Sequence, residues 1–353
     1  MTLITTDKTN WLLLQEKHDL TCTVDQEFYL YPTYLTGPSM TSRAVWTLAM
    51  FLIKSPLLKV KEKYDILINT SGEIINFRED IAYVNAVPMR AAFNYPESLP
   101  IKNSWWRCIS RVYDIFFKTI DRVNRNTLFV TNSKFNEAII NRNLGRRATV
   151  VYPPVDVENF KQVYRRRERE NLVVTVSRFR PGKNLESIPH IAKHVNARFL
   201  IIGPSDQSSA STIKMIRGLV QKLKVKNRVR LLINEPRSVL LEKLSYAKVL
   251  LHTQFFEAFG MSVVEAMAAG CVPIVPNVGG PWLDILDHEQ GKYGYAYGNS
   301  RDAAEKIRLL MEDEGLRREV AARAYRRAES FSTSIFTRNM LRVIEKVYSR
   351  KGK

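Results

Sequence analysis

The sequence predicts an α/β protein built from two doubly wound parallel sheets. Short apolar, β-branched runs alternate with segments of helical periodicity along most of the chain, which is typical of parallel strands joined by crossover helices. The 353 residues are enough for two domains of ordinary size. The predicted strands are residues 3–6, 66–69, 81–84, 128–131, 149–152, 172–177, 198–202, 228–232, 249–251 and 272–275.

Two prolines mark the division between the predicted domains. Pro153 and Pro154 follow the strand at 149–152, and proline stops a strand because it cannot donate a ladder hydrogen bond. The predicted domains are therefore residues 1–160 and 161–333. The arginine-rich run at residues 165–169 is expected to be a solvated segment between them. In each domain a ligand would bind at the carboxyl ends of the strands.

The positive charge lies mainly in the second half of the chain. The formal net charge is +19, and residues 1–160 hold 19 Lys and Arg against 16 Asp and Glu, which leaves +3 there and +16 in residues 161–353. A strongly basic half of the chain favours binding to phosphate-bearing substrates, an anionic membrane or nucleic acid. No basic and aromatic pattern of a nucleic-acid module accompanies it, so nucleic acid is the least favoured of the three.

Cysteine usage and hydropathy indicate a cytoplasmic protein. Cys22, Cys108 and Cys271 are far apart and match no metal spacing, which fits a reducing compartment. No signal-peptide pattern opens the sequence, and the longest apolar stretch, residues 44–53, is too short to span a bilayer. Residues 105–123 mix tryptophans with basic residues, as in an interfacial amphipathic helix or a core helix with a basic outer face. Peripheral membrane contact is thus one of two interpretations.

The most informative segment runs from Glu257 to Gly270. It places Glu257 in a loop after a predicted strand and Glu265 one turn into a short helix that begins at Gly260. A glycine at a helix start lets a ligand approach the N–H groups, here of Met261 and Ser262, which attract anions together with the helix dipole. A diphosphate there would leave both glutamates within reach of sugar hydroxyls. The alternative is that both carboxylates are merely solvated.

A second basic loop follows the predicted strand at 172–177. It contains Arg178 and Lys183 around a Pro-Gly turn, as expected for two cations that clamp a diphosphate. Another strand ends at Gly203 beside the same cleft. The glycine pair Gly279 and Gly280 fits either close approach of a ligand or a tight turn.

These motifs together resemble the retaining GT-B glycosyltransferases of family 4, most closely the eukaryotic dolichol-pathway α-1,2-mannosyltransferases. The resemblance extends over the whole chain and is most specific in residues 172–290. It is carried by residues 64–73, 131–135, 151–156, 176–184, 251–253, 257–260, 264–270 and 279–285. It implies two Rossmann-like domains that face each other across a cleft, with residues 334–353 forming a helix that returns to the first domain.

The resemblance also implies roles for single residues. Arg178 and Lys183 would bind the donor diphosphate, and Glu257 would hold hydroxyls of the donor sugar. Glu265 would bind the ribose. The backbone at Gly260, Met261 and Ser262, with Gly203 nearby, would meet the phosphates. The favoured donor is GDP-mannose and the acceptor a glycan or a lipid-linked glycan. No cofactor or metal is expected, since the sequence has no D-x-D pair.

Two departures from the family pattern favour a rival interpretation. The family's first strand and Gly-rich loop have no counterpart before Gly37, the first glycine of this sequence. Asn85 stands where the subgroup often has a histidine on the acceptor side, and an amide cannot act as a base. The rival is a catalytically weak or inactive GT-B protein that binds a nucleotide or a partner. The intact Arg178, Lys183, Glu257 and Glu265 favour the enzyme.

Overall fold

The computed structural model describes residues 1–5, 11, 24–29, 63–70, 72, 79–86, 126–164 and 168–351. The chain divides into two compact units, one of residues 1–63 with 75–77 and the other of residues 64–74 with 78–353. In the first unit, strands β1 (Thr2–Thr5) and β2 (Gln26–Tyr29) pair in parallel. Trp11 Nε1 donates a hydrogen bond to Glu27 Oε2 at 3.0 Å.

The second unit contains a four-stranded parallel sheet in the order β3-β4-β5-β6. Its elements are β3 (Ile68–Asn69), β4 (Ile81–Val84), β5 (Leu128–Thr131), helix α1 (Lys134–Leu144) and β6 (Ala148–Val150). Helix α1 begins after Ser133, whose side chain accepts a hydrogen bond from the Asn136 N–H, and it ends at Gly145 in the left-handed conformation.

The second unit also contains a six-stranded parallel sheet in the order β12-β11-β10-β7-β8-β9. Its strands are β7 (Glu170–Val176), β8 (Arg198–Gly203), β9 (Val229–Ile233), β10 (Ala247–Leu251), β11 (Val272–Pro276) and β12 (Tyr295–Tyr297). The helices beside it are α2 (Val157–Lys161), α3 (Ser187–Ala192), α4 (Ala210–Lys222), α5 (Arg237–Tyr246), α6 (Met261–Ala268), α7 (Ser300–Glu312) and α8 (Glu314–Ala328).

Both faces of the six-stranded sheet are covered, which explains its continuous apolar strands. Along β7, Leu172 and Val174 face one buried cluster and Val173 faces the other, as the period of two in a strand requires. Phe259 and Phe331 fill the first cluster, and the central strands β10 and β11 are buried along their whole length. This packing holds the ends of β7 and β10 rigidly beside each other.

The C-terminal helix α9 (Thr333–Lys351) packs against the four-stranded sheet. Val343 and Val347 are buried against the sheet residues Ile81 and Val130. At its end, Lys351 Nζ donates a hydrogen bond to Asp80 Oδ2 at 2.7 Å. The chain after the six-stranded sheet therefore returns to the sheet that precedes it.

The predicted strand bounds lie close to the observed ones. The predicted bounds 81–84 and 128–131 match β4 and β5, and the other predicted strands are shifted by one or two residues at one or both ends. Strands β2 and β12 were not predicted. Of the described helices, none is long and apolar enough to cross a bilayer. The stretches 44–53 and 105–123, Cys22, Cys108 and Gly37 lie outside the described residues.

One expectation about charge was wrong. Arg169, the last residue of the arginine run, is buried rather than solvated, because its guanidinium donates to the carbonyl oxygens of Leu244, Ala247 and Ala269. These carbonyls lie at the carboxyl-terminal ends of α5 and α6, where helices leave acceptors unsatisfied. Residues 165–167 lie outside the described part of the chain.

Candidate active site

The strand order fixes where a ligand would bind. The chain winds from β7 towards β9 on one side and from β10 towards β12 on the other, so the order reverses between the neighbouring strands β7 and β10. In open α/β sheets the crevice outside the carboxyl ends of such a strand pair is the preferred ligand site. The segments that leave β7 and β10 carry Arg178, Lys183 and Glu257.

The loop after β7 presents one cation without a partner and one that is paired. Arg178 is exposed, and its side chain has no hydrogen bond or ion pair within the described ranges. Arg180 is instead paired with Asp206, with Nε donating to Oδ2 at 2.9 Å. Gly203 ends β8 against this loop, and a Cβ there would overlap the carbonyl oxygen of Ser177. Close backbone packing therefore explains this glycine without a ligand.

Lys183 and Glu257 meet across the crevice. Lys183 Nζ lies 3.2 Å from Glu257 Oε2, also donates to Gln254 Oε1, and both charged side chains are about one-fifth exposed (22%). Thr253 holds the backbone of Lys183 in place, because its Oγ1 donates a hydrogen bond to the Lys183 carbonyl at 2.7 Å. Asn184, in the left-handed conformation at φ +53°, donates to the Thr253 carbonyl at 3.3 Å. Hydrogen bonds from a side chain of each loop to a backbone carbonyl of the other thus join the two loops.

Helix α6 begins at the same crevice. Gly260 takes φ +95°, a conformation that favours glycine, and no side chain caps the helix there. The N–H groups of Met261 and Ser262 have no hydrogen-bond partner within the described residues. The start of α6 therefore offers donors and a positive dipole end to an anion.

The glycine pair after β11 makes a close backbone contact. The Gly280 N–H donates to the Glu257 carbonyl at 2.8 Å, and a Cβ at Gly280 would overlap the carbonyl oxygen of Ala258. Gly279 adopts φ +94°. Of the two alternatives for this pair, the tight turn is the one the structure shows, and the turn fixes the backbone of Glu257.

Glu265 is partly buried and its carboxylate has no hydrogen-bond partner in the described structure. Burial raises its pKa to about 7. The positive charge of Arg237 acts against this rise, and the negative charge of Asp156 adds to it. Arg237 and Asp156 form their own ion pair, with Nη2 3.0 Å from Oδ2. A partly buried carboxylate without a donor is suited to a ligand hydroxyl, which would supply the missing hydrogen bond.

Asn85 belongs to the other sheet. It follows β4, its side chain lies against Gly72, and its carbonyl accepts from Asn132 Nδ2 at 2.7 Å. Within the described residues, no hydrogen bond or ion pair links Asn85 to the residues after β7 and β10. The structure therefore brings Arg178, Lys183, Glu257 and α6 to one end of the six-stranded sheet, and Asn85 to the end of β4 in the four-stranded sheet.

Sequence reasoning missed three residues of this site. His252 was noted only as part of the family motif at 251–253, yet it is 92% buried directly after β10. Burial lowers its pKa to about 4, with Glu257 raising and Lys183 lowering it. Gln254 and Arg237 were not singled out. His252 and Gln254 follow the end of β10, and Arg237 begins α5. These positions were the sequence signal that could have identified the three residues. Within the described residues no group of three or more His, Cys, Asp and Glu could hold a metal ion.

Comparison with known families agrees with this geometry. The sequence profile described as "Glycosyl transferases group 1" matches residues 156–327, which contain the entire six-stranded sheet and the crevice. The chain carries a glycosyltransferase group 1 domain. The matched region includes every predicted residue of the donor side and excludes Asn85.

Curated relatives of this chain share moderate identity with it over a region that includes this domain. A Dictyostelium discoideum protein named "GDP-Man:Man(3)GlcNAc(2)-PP-Dol alpha-1,2-mannosyltransferase" is 28% identical over 278 residues, which is 72% of this chain and 55% of that protein. The Homo sapiens protein of the same name is 32% identical over 221 residues, 58% of this chain and 45% of that protein. The chain thus spans about half the length of these relatives.

Solved structures show that the chain has the GT-B fold. Anabaena HepE in complex with UDP gives a TM-score of 0.70 at 16% identity, covering 98% of this chain and 92% of the other. WaaG, a glycosyltransferase involved in lipopolysaccharide biosynthesis, gives 0.63 at 17% identity, covering 88% and 84%. The predicted fold class, GT-B with parallel Rossmann-like sheets, is confirmed.

Proposed function

We propose that this chain transfers mannose from GDP-mannose to a lipid-linked glycan. The observation that carries the proposal is the meeting of the Lys183–Glu257 pair with the uncapped start of α6 at the switch point of the sheet. Cations and free N–H groups suit a diphosphate, and a carboxylate beside them suits the sugar attached to it. The names of the relatives support mannose and the lipid-linked acceptor.

In this proposal each end of the donor has its own protein groups. Arg178, which has no hydrogen-bond or ion-pair partner among the described residues, and Lys183 bind the diphosphate together with the N–H groups of Met261 and Ser262 at Gly260. Glu257 accepts hydrogen bonds from hydroxyls of the mannose. Glu265, one turn further into α6, accepts from the hydroxyls of the ribose. Gly203 lets the loop of Arg178 pack closely, so its contribution is structural.

The chemistry follows from the charge that develops on the leaving group. The bond between the anomeric carbon and the β-phosphate oxygen breaks, the acceptor oxygen bonds to the anomeric carbon, and the acceptor proton passes to the β-phosphate. Arg178 and Lys183 stabilise the GDP that leaves, which is the main source of rate enhancement in such a site. Attack from the face that the phosphate leaves retains the anomeric configuration. Neither glutamate acts as the nucleophile, and no metal ion is required.

A lipid-linked acceptor would bring the enzyme to a membrane surface. The excess of +16 in residues 161–353 supports peripheral attachment to an anionic surface, which we place on the cytoplasmic face. The second candidate function is a GT-B protein that binds a nucleotide or a partner without turnover. Asn85 is the observation that favours it, because an amide cannot become the cation or base that a histidine would supply.

Calorimetric titration of the full chain with GDP-mannose, UDP-glucose and ADP-glucose tests the donor site. We expect micromolar binding of GDP-mannose and its loss in Arg178→Ala/Lys183→Ala. The matched control is Arg180→Ala, which removes a neighbouring cation already paired with Asp206 and should leave binding unchanged. Absence of binding by the folded wild type to all three donors would rule out the transferase.

Transfer to a lipid-linked glycan then separates the two candidates. Turnover in the presence of EDTA, with an α-linked product, is expected of a retaining, metal-independent enzyme. Binding of GDP-mannose without turnover on any lipid-linked acceptor, in wild type and in Asn85→His alike, would favour the binding protein. Recovery of turnover in Asn85→His alone would assign the weakness to that side chain.

A further inference from the structure

Gln254 contacts Lys183 in the crevice, and the proposed function assigns it no role. Gln254 and its neighbour Thr253 hold Lys183 at both ends, because Thr253 Oγ1 donates to the Lys183 carbonyl at 2.7 Å and Gln254 Oε1 accepts from Lys183 Nζ. The same ammonium lies 3.2 Å from Glu257 Oε2. The amide oxygen of Gln254 is a neutral acceptor, so it holds the ammonium without cancelling its charge, as a second carboxylate would.

The contact with Lys183 fixes the orientation of the Gln254 amide. An ammonium group has only donors, so the atom of the amide that faces it is the carbonyl oxygen, and Nε2 lies on the other side. Nε2 forms no hydrogen bond within the described residues, and this partly buried side chain leaves the nitrogen accessible to solvent. Two N–H donors without a protein partner therefore lie next to the Lys183–Glu257 pair, where a ligand can reach them.

The neighbours of Nε2 indicate which ligand group it would bind. In the proposed function Lys183 binds the diphosphate and Glu257 binds the mannose, and these two side chains are in contact. The β-phosphate is the phosphate joined to the mannose, so it is the one closest to this pair. An oxygen bound at Lys183 Nζ also lies near Nε2, because both atoms of the amide are attached to one carbon. Nε2 only donates and a phosphate oxygen only accepts, so the two are complementary.

We propose that the Gln254 amide bridges Lys183 and the donor: Oε1 holds the ammonium, and Nε2 donates a hydrogen bond to a β-phosphate oxygen. Gln254 is then a further residue of the donor site that binds the leaving group. This inference rests on the proposed function, because it assumes a nucleoside diphosphate in the crevice. It extends that function by adding a neutral donor to the cations Arg178 and Lys183, at the place where negative charge develops as GDP leaves.

Calorimetry on the full 353-residue chain with GMP, GDP and GDP-mannose tests the assignment, since GMP lacks the β-phosphate. In Gln254→Leu, which removes both polar atoms and keeps a side chain of similar size, we expect GDP and GDP-mannose affinities to fall by the same factor, ~10-fold, the effect of a lost hydrogen bond to a charged group. The affinity for GMP should stay unchanged. Gln221→Leu, the same substitution at an exposed position of α4, is the matched control and should bind all three ligands like wild type.

The side-chain amide signal of Gln254 separates a direct contact from an effect through Lys183. In protein labelled with ¹⁵N at glutamine, this signal is identified by its absence from the spectrum of Gln254→Leu. We expect GDP to move the amide protons downfield, as a hydrogen bond to phosphate does, and GMP to leave them in place. Weaker GDP binding in Gln254→Leu without this shift in wild type would make Gln254 a positioning residue of Lys183 and overturn the contact.

The remaining outcomes separate this inference from the proposed function. A loss confined to GDP-mannose would place Nε2 at a sugar hydroxyl, and unchanged affinity for both GDP and GDP-mannose would show that Nε2 does not bind the donor. Either result overturns the proposal and leaves the transferase standing. Equal losses for GMP and GDP, or a clear fall in the melting temperature without ligand, would make the role structural and overturn it too. Absence of GDP and GDP-mannose binding to the wild type would instead remove the proposed function itself.

Discussion

The two ends of the six-stranded sheet differ in whether several of their polar groups have hydrogen-bond partners within the protein. At the amino-terminal end, Arg169 satisfies three carbonyl oxygens, and Glu314 pairs with Arg317, Arg318 and Lys248. At the carboxyl-terminal end, the Arg178 guanidinium, the Glu265 carboxylate and His252 Nε2 have no hydrogen-bond partner in the described residues. The contacts of Arg169 and Glu314 at the amino-terminal end stabilise the fold and need no ligand. In the proposed function a ligand would supply the partners that the carboxyl-terminal end lacks.

The largest effect is expected from Arg169→Met. The side chain is 93% buried and donates to the carbonyls of Leu244 and Ala247 at 3.0 and 2.6 Å. Methionine fills part of the volume but leaves these carbonyls only the weak Cys271 thiol as a side-chain donor, so we expect the free energy of unfolding to fall by about 4 kcal/mol. Urea denaturation measures the change.

The folded fraction of Arg169→Met should bind GDP like wild type, because Arg169 lies at the opposite end of the sheet. Arg178→Met is the matched control: the same substitution at the carboxyl-terminal end should weaken GDP binding and leave stability within ~0.5 kcal/mol. A loss of GDP affinity in Arg169→Met at unchanged stability would break the comparison between the two ends.

Glu265 gives the next largest effect, and its sign depends on pH. Its pKa is about 7 in the folded protein and 4.5 as the ordinary value, because burial disfavours the charged form. The folded state therefore binds its proton more tightly than the unfolded state, and wild type loses stability as pH rises from about 4.5 to 7. Glu265→Gln does not titrate, so at pH 8 it should be more stable than wild type by up to ~3 kcal/mol, and by little at pH 4.5.

The same variant should bind GDP more weakly, because in the proposed function the Glu265 carboxylate accepts hydrogen bonds from the ribose, and an amide accepts them less well. Glu305→Gln, at an exposed position of α7, controls for the loss of one negative charge and should show neither effect. Thermal melts from pH 4.5 to 8 measure the stability change. If the stability difference between Glu265→Gln and wild type did not change with pH, the carboxyl would not be desolvated as described.

The sequence predicted more of the sheet than of the contacts within the site. Short apolar, β-branched runs located β4 and β5 to the residue, while β12 was missed because Tyr295–Tyr297 is only three residues between glycines. Position after a strand end was enough to single out Lys183 and Glu257. Their pairing, and the burial of His252 and Arg169, depend on residues far along the chain, and no local pattern encodes such contacts.

Asp284 separates two explanations of which polar groups would bind a ligand. One is the lack of a hydrogen-bond partner within the protein, and the other is a position at the carboxyl-terminal end of the sheet. It lies beyond the carboxyl end of β11, yet it is 99% buried and fully used, accepting from the N–H groups of Lys134 and Phe135 at 2.7 and 3.2 Å. Burial raises its pKa, with these two hydrogen bonds acting against the rise. It thus caps the start of α1 on the other sheet, where a carboxylate is favoured.

We expect Asp284→Asn to lower the free energy of unfolding by only about 1 kcal/mol, because the amide keeps one acceptor oxygen and no longer buries a charge. Asp284→Ala, which keeps none, should cost roughly 2 kcal/mol. Both variants should bind GDP like wild type when measured by calorimetry below their melting temperatures. Weakened GDP binding in Asp284→Asn at near-normal stability would mean that proximity to the carboxyl-terminal end, rather than the lack of a protein partner, determines which polar groups serve the ligand.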